Sequence, residues 1–265
     1  GVQLMSTFTN IGAIVRKEWL HYFGSPIAYV ALFTWNLLFS LFFVSALTQF
    51  IEYAGDPRAS AGGGPKPNIN EWIFGWVLSN MTVVALFVAP MFSMRLFAEE
   101  QRQGTWELLA TSPITDWQIV IGKFIGATSM YALLLLTSLL NFVPVWRYAE
   151  PAPSLPLLGT AVLAVFLVGT CFIALGELLS TLTKNQIIAG MLSFGLALTT
   201  WVLSYFDKPM ASDAMKALTY LSVLSHMEDL VRGVIDTKDL FFYASFIGFA
   251  LFLTQQSVES RRWRE

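Results

Sequence analysis

The sequence predicts an all-α integral membrane protein with six transmembrane helices. Hydrophobic residues make up 55% of its 265 residues, and only 13% are charged. The charges are confined almost wholly to the segments between long apolar runs, as expected for a chain embedded in a bilayer. Each run is long enough to cross the hydrocarbon core as a helix. A single membrane domain over residues 1–265 is predicted. The net charge of −2 argues against a nucleic-acid partner.

The first predicted element is an amphipathic helix, residues 11–24, in front of the first span. Its apolar residues recur at three- and four-residue spacing and include Trp19, whereas Arg16 and Lys17 lie elsewhere on the helical wheel. Such a helix lies along the membrane surface. Two roles stay open: an elbow beside another subunit, or a simple anchor. No secretory cleavage pattern precedes the first apolar run, so we expect that span to be retained.

Six apolar runs follow as predicted spans. Their approximate bounds are residues 27–50, 72–94, 119–146, 157–182, 187–206 and 240–258. Asn36 in the first span is expected to hydrogen-bond a neighbouring helix, and Gly122 and Gly126 in the third form a small-xxx-small pair that permits close helix contact. Pro90 bends the second span near its end, as a hinge or as a static kink. Cys171, the one cysteine, is expected to serve packing only.

The polar stretch 95–118 between the second and third spans has the punctuation of a folded element. Gly104 is a suitable helix end because glycine accepts the left-handed conformation. Thr105 can cap a short second helix that ends before Pro113. Thr115 opens a Thr-x-x-Gln helix start, in which each side chain can satisfy a free backbone donor. The stretch is predicted to be either a handle for a soluble partner or a loop that only reconnects two spans.

This loop also carries a recognisable motif. It reads Glu-Glu-Gln-Arg-Gln-Gly-Thr-Trp-Glu-Leu-Leu-Ala-Thr-Ser-Pro-Ile-Thr from Glu99, followed by Ile-Val-x-Gly-Lys ending at Lys123. The motif resembles the first cytoplasmic loop of ABC type-2 exporter permeases, and the resemblance extends over nearly the whole chain. It implies a coupling helix that docks in a groove of a separate ATPase subunit. The residues that it assigns to this contact are Glu99, Glu100, Arg102, Gly104, Thr105, Trp106, Glu107, Leu108 and Pro113.

Glu177 is the one charge inside an apolar run. Counted from the inner end of the fourth span, it lies one to two helical turns deep, where a charge is unfavourable unless it faces protein, water or a cation. A structural ion pair with Lys184 or Lys123 is the favoured interpretation, and a functional role inside the membrane is the alternative. Lys123 is itself expected to snorkel toward the lipid headgroups.

Residues 212–233 are predicted to form two short extracellular helices between the fifth and sixth spans. Ser212 can cap the first helix, and Ser225 opens a capping box for a second that stops at Gly233. Two such helices resemble the re-entrant pair of the permease family. The run His-Met-Glu-Asp-Leu-Val-Arg-Gly-Val-Ile-Asp from His226 resembles its gliding-motility and nitrous-oxide-reductase-maturation branches.

Missing motifs exclude several classes of activity. The sequence has no Gly-x-x-x-x-Gly-Lys-Ser/Thr phosphate loop, no His-Glu-x-x-His zinc pair and no Gly-x-Ser-x-Gly elbow. We therefore expect that the chain is not an enzyme and itself binds no metal or cofactor. The resemblance implies that ATP and Mg²⁺ are bound by the partner ATPase.

The expected function is that of a permease subunit of an ATP-driven exporter in the bacterial inner membrane, with both termini cytoplasmic. The expected partners are an ATPase subunit dimer, a second permease copy or a related permease, and membrane lipid. Few charges inside the spans favour a lipidic, amphipathic or peptide-like substrate. The alternative is an ATP-driven mechanotransmitter or scaffold that acts on an extracytoplasmic protein, because a coupling helix indicates the motor and not what it moves.

Overall fold

The computed structural model describes residues 2–55, 68–106, 114–149, 153–206 and 219–262. This part of the chain consists of helices and turns and contains no strand. It includes six helices that are long and apolar enough to cross a membrane. The prediction of an all-α fold with six spans is therefore confirmed. The predicted helix from Ser212 and the short helix from Trp106 to Ala110 lie largely outside the described residues.

The bounds of the helices are as follows. The N-terminal helix is Val2–Phe23, which is longer than the predicted 11–24. The six spans are Pro26–Gly55, Trp72–Gln103, Asp116–Tyr148, Leu155–Leu182, Gln186–Ser204 and Thr237–Arg262.

Two of the spans are irregular. The second span starts in a π-helical segment, Asn70–Gly75, and a turn over 94–97 separates its helix Trp76–Ser93 from a short helix, Ala98–Gln103. The third span ends in a 3₁₀ turn, Leu139–Phe142, and the helix Val143–Tyr148. Another short helix, Met227–Val231, precedes the sixth span.

The fourth span lies at the centre of the bundle, where it contacts the second, third, fifth and sixth spans. Glycines allow two of these contacts to be close. A Cβ atom at Gly169 would lie 2.2 Å from the ring of Tyr131, and one at Gly176 would lie 1.9 Å from the Ser93 hydroxyl. Tyr131 is fully buried and its hydroxyl donates to the carbonyl of Val165 at 3.0 Å, so its ring has no room to move away.

Polar side chains also join the first and third spans. Asn36 Nδ2 donates to Thr137 Oγ1 at 3.0 Å, which confirms the predicted bond between helices. One turn further on, Ser40 Oγ donates to Asn141 Oδ1 at 2.9 Å. Cys171 is fully buried in the fourth span, as its predicted packing role requires.

The N-terminal helix packs against the third span. A Cβ atom at Gly122 or Gly126 would lie 2.8 or 2.9 Å from side-chain atoms of the N-terminal helix, including Cβ of Glu18 at Gly126. Trp19 Nε1 donates to Ser129 Oγ at 2.6 Å on the same side. The predicted close contact at the glycine pair is therefore confirmed, and the N-terminal helix is the partner.

The second span breaks over 94–97, four residues after Pro90. Ser180 of the fourth span satisfies the backbone groups that the break exposes. Its hydroxyl accepts two backbone N–H groups, both at 2.9 Å, and donates to the carbonyl of Met94 at 3.0 Å. The break is thus held by a defined contact with the centre of the bundle.

Two of the three local signals of the loop, Gly104 and Thr115, can be compared with the structure. The helix that Thr105 was predicted to cap lies largely outside the described residues. Gly104 ends the short helix Ala98–Gln103 with φ 71°, in the left-handed region. Thr115 begins the third span, and its side chain accepts from the backbone N–H of Gln118 at 3.4 Å. The reciprocal half of the capping box does not form, because the Gln118 side chain instead hydrogen-bonds Thr7 and Asn10 of the N-terminal helix.

The predicted capping box at Ser225 is wrong. His226 is the N-cap of Met227–Val231 and forms no side-chain cap, and the buried Ser225 Oγ has no hydrogen-bond partner in the described part of the chain. The His226 ring instead binds Asp239, in the first turn of the sixth span, at 2.7 Å. Gly233 follows the short helix with φ 89°.

Replacing Gly169 with Ala should destabilise the protein by about 1–3 kcal/mol, because the added methyl group overlaps the fixed ring of Tyr131. The matched control is Gly159→Ala in the same helix, where a Cβ atom meets nothing within 4 Å. Thermal unfolding of the two variants in detergent measures the difference. Equal stability of both variants would contradict the central packing described here.

Candidate functional site

In the described part of the chain, seven ionisable side chains meet where the N-terminal helix, the short helix Ala98–Gln103 and the start of the third span come together. They line a cavity of about 200 Å³. We call them the Lys123 cluster. Its members are Lys17, Glu18, His21, Arg95, Glu99, Glu100 and Lys123. Because they come from three distant segments, no single sequence motif contains them.

Lys123 is the centre of the cluster and is only 1% exposed. Its ammonium group donates to Glu18 Oε1 at 3.1 Å, to Glu100 Oε1 at 2.8 Å and to the carbonyl of Leu96 at 2.6 Å. The three N–H donors of a lysine are thus all used. The predicted snorkelling of Lys123 is wrong, since the side chain finds its acceptors inside the protein.

The two glutamates of the short helix bind different parts of the N-terminal helix. Glu100 forms a second ion pair with Lys17. Glu99 Oε2 lies 2.9 Å from His21 Nε2 and 3.3 Å from Arg95 Nε, and Arg95 Nη2 lies 2.7 Å from the same His21 nitrogen. Glu100 is only 9% exposed, because it lies against the N-terminal helix.

The charges of the cluster nearly cancel. Apart from His21, three cationic side chains face three carboxylates among the described residues. Buried ion pairs add little net stability, but removal of one partner leaves an uncompensated charge in a medium of low dielectric constant. Arg95 Nη1 and Glu100 Oε2 are buried without hydrogen-bond partners in the described chain. The cluster therefore fixes the relative position of three helices more than it stabilises the fold.

Tyr22 closes the cluster on the side of the second span. Its hydroxyl donates to the carbonyl of Phe92 at 2.9 Å, and the guanidinium of Arg95 lies 5.7 Å from the centre of its ring. Burial, and then the nearby Glu18 carboxylate, raise the pKa of Tyr22 above its ordinary value. The hydroxyl therefore keeps its proton and remains a donor.

The loop is also bonded to the ends of the fourth and sixth spans. Gln101 Nε2 donates to the carbonyl of Thr181 at 3.2 Å, and Arg261 Nη1 donates to Gln101 Oε1 at 2.7 Å. Arg262 Nη1 donates to Asp116 Oδ1 at 3.0 Å at the start of the third span. Four spans thus converge on this loop.

The residues predicted to contact the ATPase subunit differ in exposure: some are exposed and others are buried. Arg102, Gly104 and Thr105 are exposed, whereas Trp106 is 5% exposed and packs edge-on against Phe97 with 5.9 Å between ring centres. Glu107, Leu108 and Pro113 lie outside the described residues. Of the residues predicted to contact the ATPase, Arg102, Gly104 and Thr105 are therefore the described ones that are exposed to a partner.

The predicted elbow residues are similarly divided. Arg16 is exposed, Lys17 reaches Glu100, and Trp19 is bonded to the third span. Sequence reasoning missed Glu18, which is 4% exposed. Its signal is its place four residues after buried Ile14, on the apolar stripe of the helix, where a carboxylate requires a cationic partner.

The ion pair predicted for Glu177 is wrong. Glu177 is fully buried in the fourth span, and neither of its oxygens has a hydrogen-bond partner among the described residues. Lys123 is engaged by Glu18 and Glu100, and Lys184 is exposed. An uncharged Glu177 would avoid the cost of an unpaired buried carboxylate.

Fold and site together define a multi-pass helical membrane protein in which one loop is fixed by buried ion pairs. The model of the ABC-2 family transporter proteins matches residues 3–256, so the chain belongs to that family of permeases. This membership and the six apolar helices fit a multi-pass protein of the inner membrane that serves transport.

Two curated relatives are similar to part of the chain. Both are named "Probable multidrug ABC transporter permease YbhR", one from Escherichia coli strain K12 and one from Escherichia coli O157:H7. Each is 24% identical over 192 residues, which cover 65% of this chain and 50% of the relative. The chain thus spans about half the length of the curated relatives it matches.

Replacing Lys123 with Ala should destabilise the protein by about 3–5 kcal/mol, because it leaves the buried carboxylates of Glu18 and Glu100 without their shared cation. Lys184→Ala is the control, since Lys184 is an exposed lysine and should change stability by less than about 0.5 kcal/mol. Thermal unfolding in detergent gives both values. A Lys123 variant as stable as the control would show that the cluster does not hold these helices together.

Replacing Glu177 with Gln should change stability by less than about 1 kcal/mol, because the amide has nearly the same shape and no ion pair is lost. The same unfolding measurement applies. A loss comparable to that of Lys123→Ala would mean that Glu177 has a charged partner.

Proposed function

We propose that this chain is the permease subunit of an ATP-driven exporter and that its loop after the second span receives movement from a separate ATPase subunit. Permeases of the ABC-2 family generally pair with an ATPase subunit and dimerise, which supports the assignment. The observation that carries the coupling role is the Lys123 cluster, because it attaches the loop rigidly to the rest of the bundle.

The short helix Ala98–Gln103 is held on two sides and open on a third. Glu100 binds Lys123 of the third span and Lys17 of the N-terminal helix, and Gln101 binds the fourth span. Arg102 remains exposed. A force applied near Arg102 is therefore passed at once to the N-terminal helix, the third span and the fourth span. The short helix Ala98–Gln103 cannot rotate independently of them.

The proposed arrangement at the membrane follows from this role. The loop, the N-terminal helix and both termini lie on the cytoplasmic side of the inner membrane, where the N-terminal helix acts as an elbow beside the ATPase. The proposed contact consists of the exposed Arg102, Gly104 and Thr105 together with Glu107, Leu108 and Pro113. The ATPase dimer binds ATP and Mg²⁺, and this chain supplies no catalytic residue. A second copy of the chain or a related permease completes the transporter.

The proposed substrate is lipidic, amphipathic or peptide-like. A relative that matches part of the chain is named as a probable multidrug permease, which favours an apolar substrate. An apolar cavity of about 330 Å³ between the third and fourth spans also fits such a load. Its lining includes Phe74, Phe142 and Trp146. Aromatic and aliphatic walls of this kind accept alkyl or aromatic groups and offer no partner to a charge.

A second candidate function is the transfer of force to an extracytoplasmic protein. The observation that favours it is the fixed segment before the sixth span, on the face opposite the Lys123 cluster. His226 binds Asp239 at 2.7 Å, and the Tyr243 hydroxyl donates to the carbonyl of Val223 at 2.9 Å. Val234 and Ile235 in this segment are exposed. A rigid surface with exposed apolar side chains suits a protein partner, as does the resemblance to the gliding-motility and nitrous-oxide-reductase-maturation branches.

Reversing the charge of Arg102 tests the coupling role. The tagged chain, purified from its native membranes in mild detergent, should recover an ATPase subunit that mass spectrometry identifies. Arg102→Glu should lower that recovery about tenfold, equivalent to about 1.4 kcal/mol, because it changes an exposed charge at the proposed contact. The thermal unfolding temperature should stay the same, since Arg102 lies outside the buried cluster.

The matched control is Arg232→Glu, which reverses an exposed arginine on the opposite face of the bundle. It should recover as much ATPase as the unmodified chain. Equal recovery with both variants would contradict the coupling contact at Arg102, and no ATPase recovered with the unmodified chain would contradict the proposed function itself.

A further inference from the structure

Three aspartates meet at the start of the sixth span, on the face opposite the Lys123 cluster. Asp229 belongs to the short helix Met227–Val231, Asp236 lies just before the sixth span, and Asp239 lies in its first turn. One carboxylate oxygen from each lies within 4.8 Å of the others. Asp239 is only 2% exposed, whereas Asp229 and Asp236 are half-buried.

The buried aspartate has an oxygen that the described protein does not use. Asp239 Oδ1 is bonded to His226 Nδ1 at 2.7 Å, but Oδ2 is buried with no hydrogen-bond partner in the described chain. Asp239 and Asp229 line a cavity of about 240 Å³. Ser225 lines the same cavity, and its buried hydroxyl oxygen is also without a partner there. Buried polar atoms of this kind are normally satisfied, so the two point to a ligand between them.

Lys238 satisfies only the outer part of this group. Its ammonium lies 3.0 Å from Asp236 Oδ2 and 4.0 Å from Asp229 Oδ2, and the structure gives it no bond to Asp239. The side chain is 61% exposed, so it can turn into solvent on its flexible stem. Even with a cationic His226 ring beside Asp239 Oδ1, the three carboxylates outnumber the cations next to the unused oxygens.

The chemistry of these ligands selects the ion. Carboxylate and hydroxyl oxygens bind hard divalent cations, and Ca²⁺ holds its ligands at about 2.3–2.6 Å. Two ligands on opposite sides of one Ca²⁺ are thus about 4.8 Å apart, which matches the spread of the aspartate oxygens. Mg²⁺ needs about 2.0–2.1 Å and a stricter octahedron, so it would require the three side chains to draw closer.

We propose that Asp229, Asp236 and Asp239 bind one Ca²⁺ ion, with the Ser225 hydroxyl as a further ligand. The ion fastens the short helix Met227–Val231 to the first turn of the sixth span. Lys238 competes for the same carboxylates, so the affinity falls in the range of weak extracellular sites, with a Kd of about 0.1–1 mM. The site depends on neither the ATPase partner nor the transported substrate.

The test uses the purified full chain in detergent after treatment with EDTA. Addition of 0.01–10 mM CaCl₂ should raise the thermal unfolding temperature by about 3–5 °C with a saturating curve, because the ion binds only the folded protein. KCl at equal ionic strength should give no saturating shift. MgCl₂ should act only at concentrations about tenfold higher.

Three variants and one control separate the site from a general salt effect. Asp239→Asn and Asp229→Asn should abolish the Ca²⁺ response, and Asp229 serves as the second variant because its part-exposed side chain puts the fold at less risk. Lys238→Ala should bind Ca²⁺ several-fold more tightly, because it removes the competing cation. Glu228→Gln is the control: its side chain is 70% exposed, lies outside the cluster, and should leave the response unchanged.

Several outcomes would overturn the proposal. One is the absence of a saturable Ca²⁺ response, and another is an equal response in Asp229→Asn and the unmodified chain. A stronger response to Mg²⁺ than to Ca²⁺ would reject the assigned ion. A Lys238→Ala variant that is destabilised at every Ca²⁺ concentration and gains no affinity would identify the ammonium as the permanent counter-ion of these aspartates.

Discussion

The buried ammonium of Lys123 is the interaction on which this end of the structure depends. It is bonded to the N-terminal helix through Glu18, to the short helix Ala98–Gln103 through Glu100, and to the turn before that helix through the carbonyl of Leu96. A buried charge is tolerated only when its donors are satisfied, so the three segments have to keep these positions together. The loop is consequently a fixed part of the bundle, and its geometry cannot change without breaking buried ion pairs.

Close helix packing makes that interaction possible. Gly122 and Gly126 flank Lys123 and let the N-terminal helix approach so closely that an added Cβ atom would overlap it. A larger side chain at Gly126 would displace Glu18 itself, whose Cβ lies against that glycine. The glycine pair and the Lys123–Glu18 ion pair therefore depend on each other. The glycines set the distance between the two helices, and that distance allows the ion pair to form.

The sequence predicted what local energetics determine and missed what tertiary contacts determine. The six spans follow from runs of apolar residues, and Gly104 and Thr115 follow from backbone groups within a few residues of each other. Glu18 and Lys123 are separated by 105 positions, and no periodicity relates them. The capping box at Ser225 failed for the same reason, since His226 binds the more distant Asp239. In each case a local preference was outweighed by a partner that only the fold supplies.

Charge balance distinguishes the two faces of the bundle. In the Lys123 cluster, the described chain supplies as many cations as carboxylates, and each carboxylate is paired with a cation of the protein. Near the start of the sixth span, three aspartates face one exposed lysine and the His226 ring, and Oδ2 of the buried Asp239 has no hydrogen-bond partner in the described chain. The first arrangement needs no added ion to balance its charges, which suits a rigid link to a motor. At the three aspartates, the proposed Ca²⁺ ion supplies the missing partner of the carboxylates. The stability of that face therefore depends on the Ca²⁺ concentration of the surrounding solution.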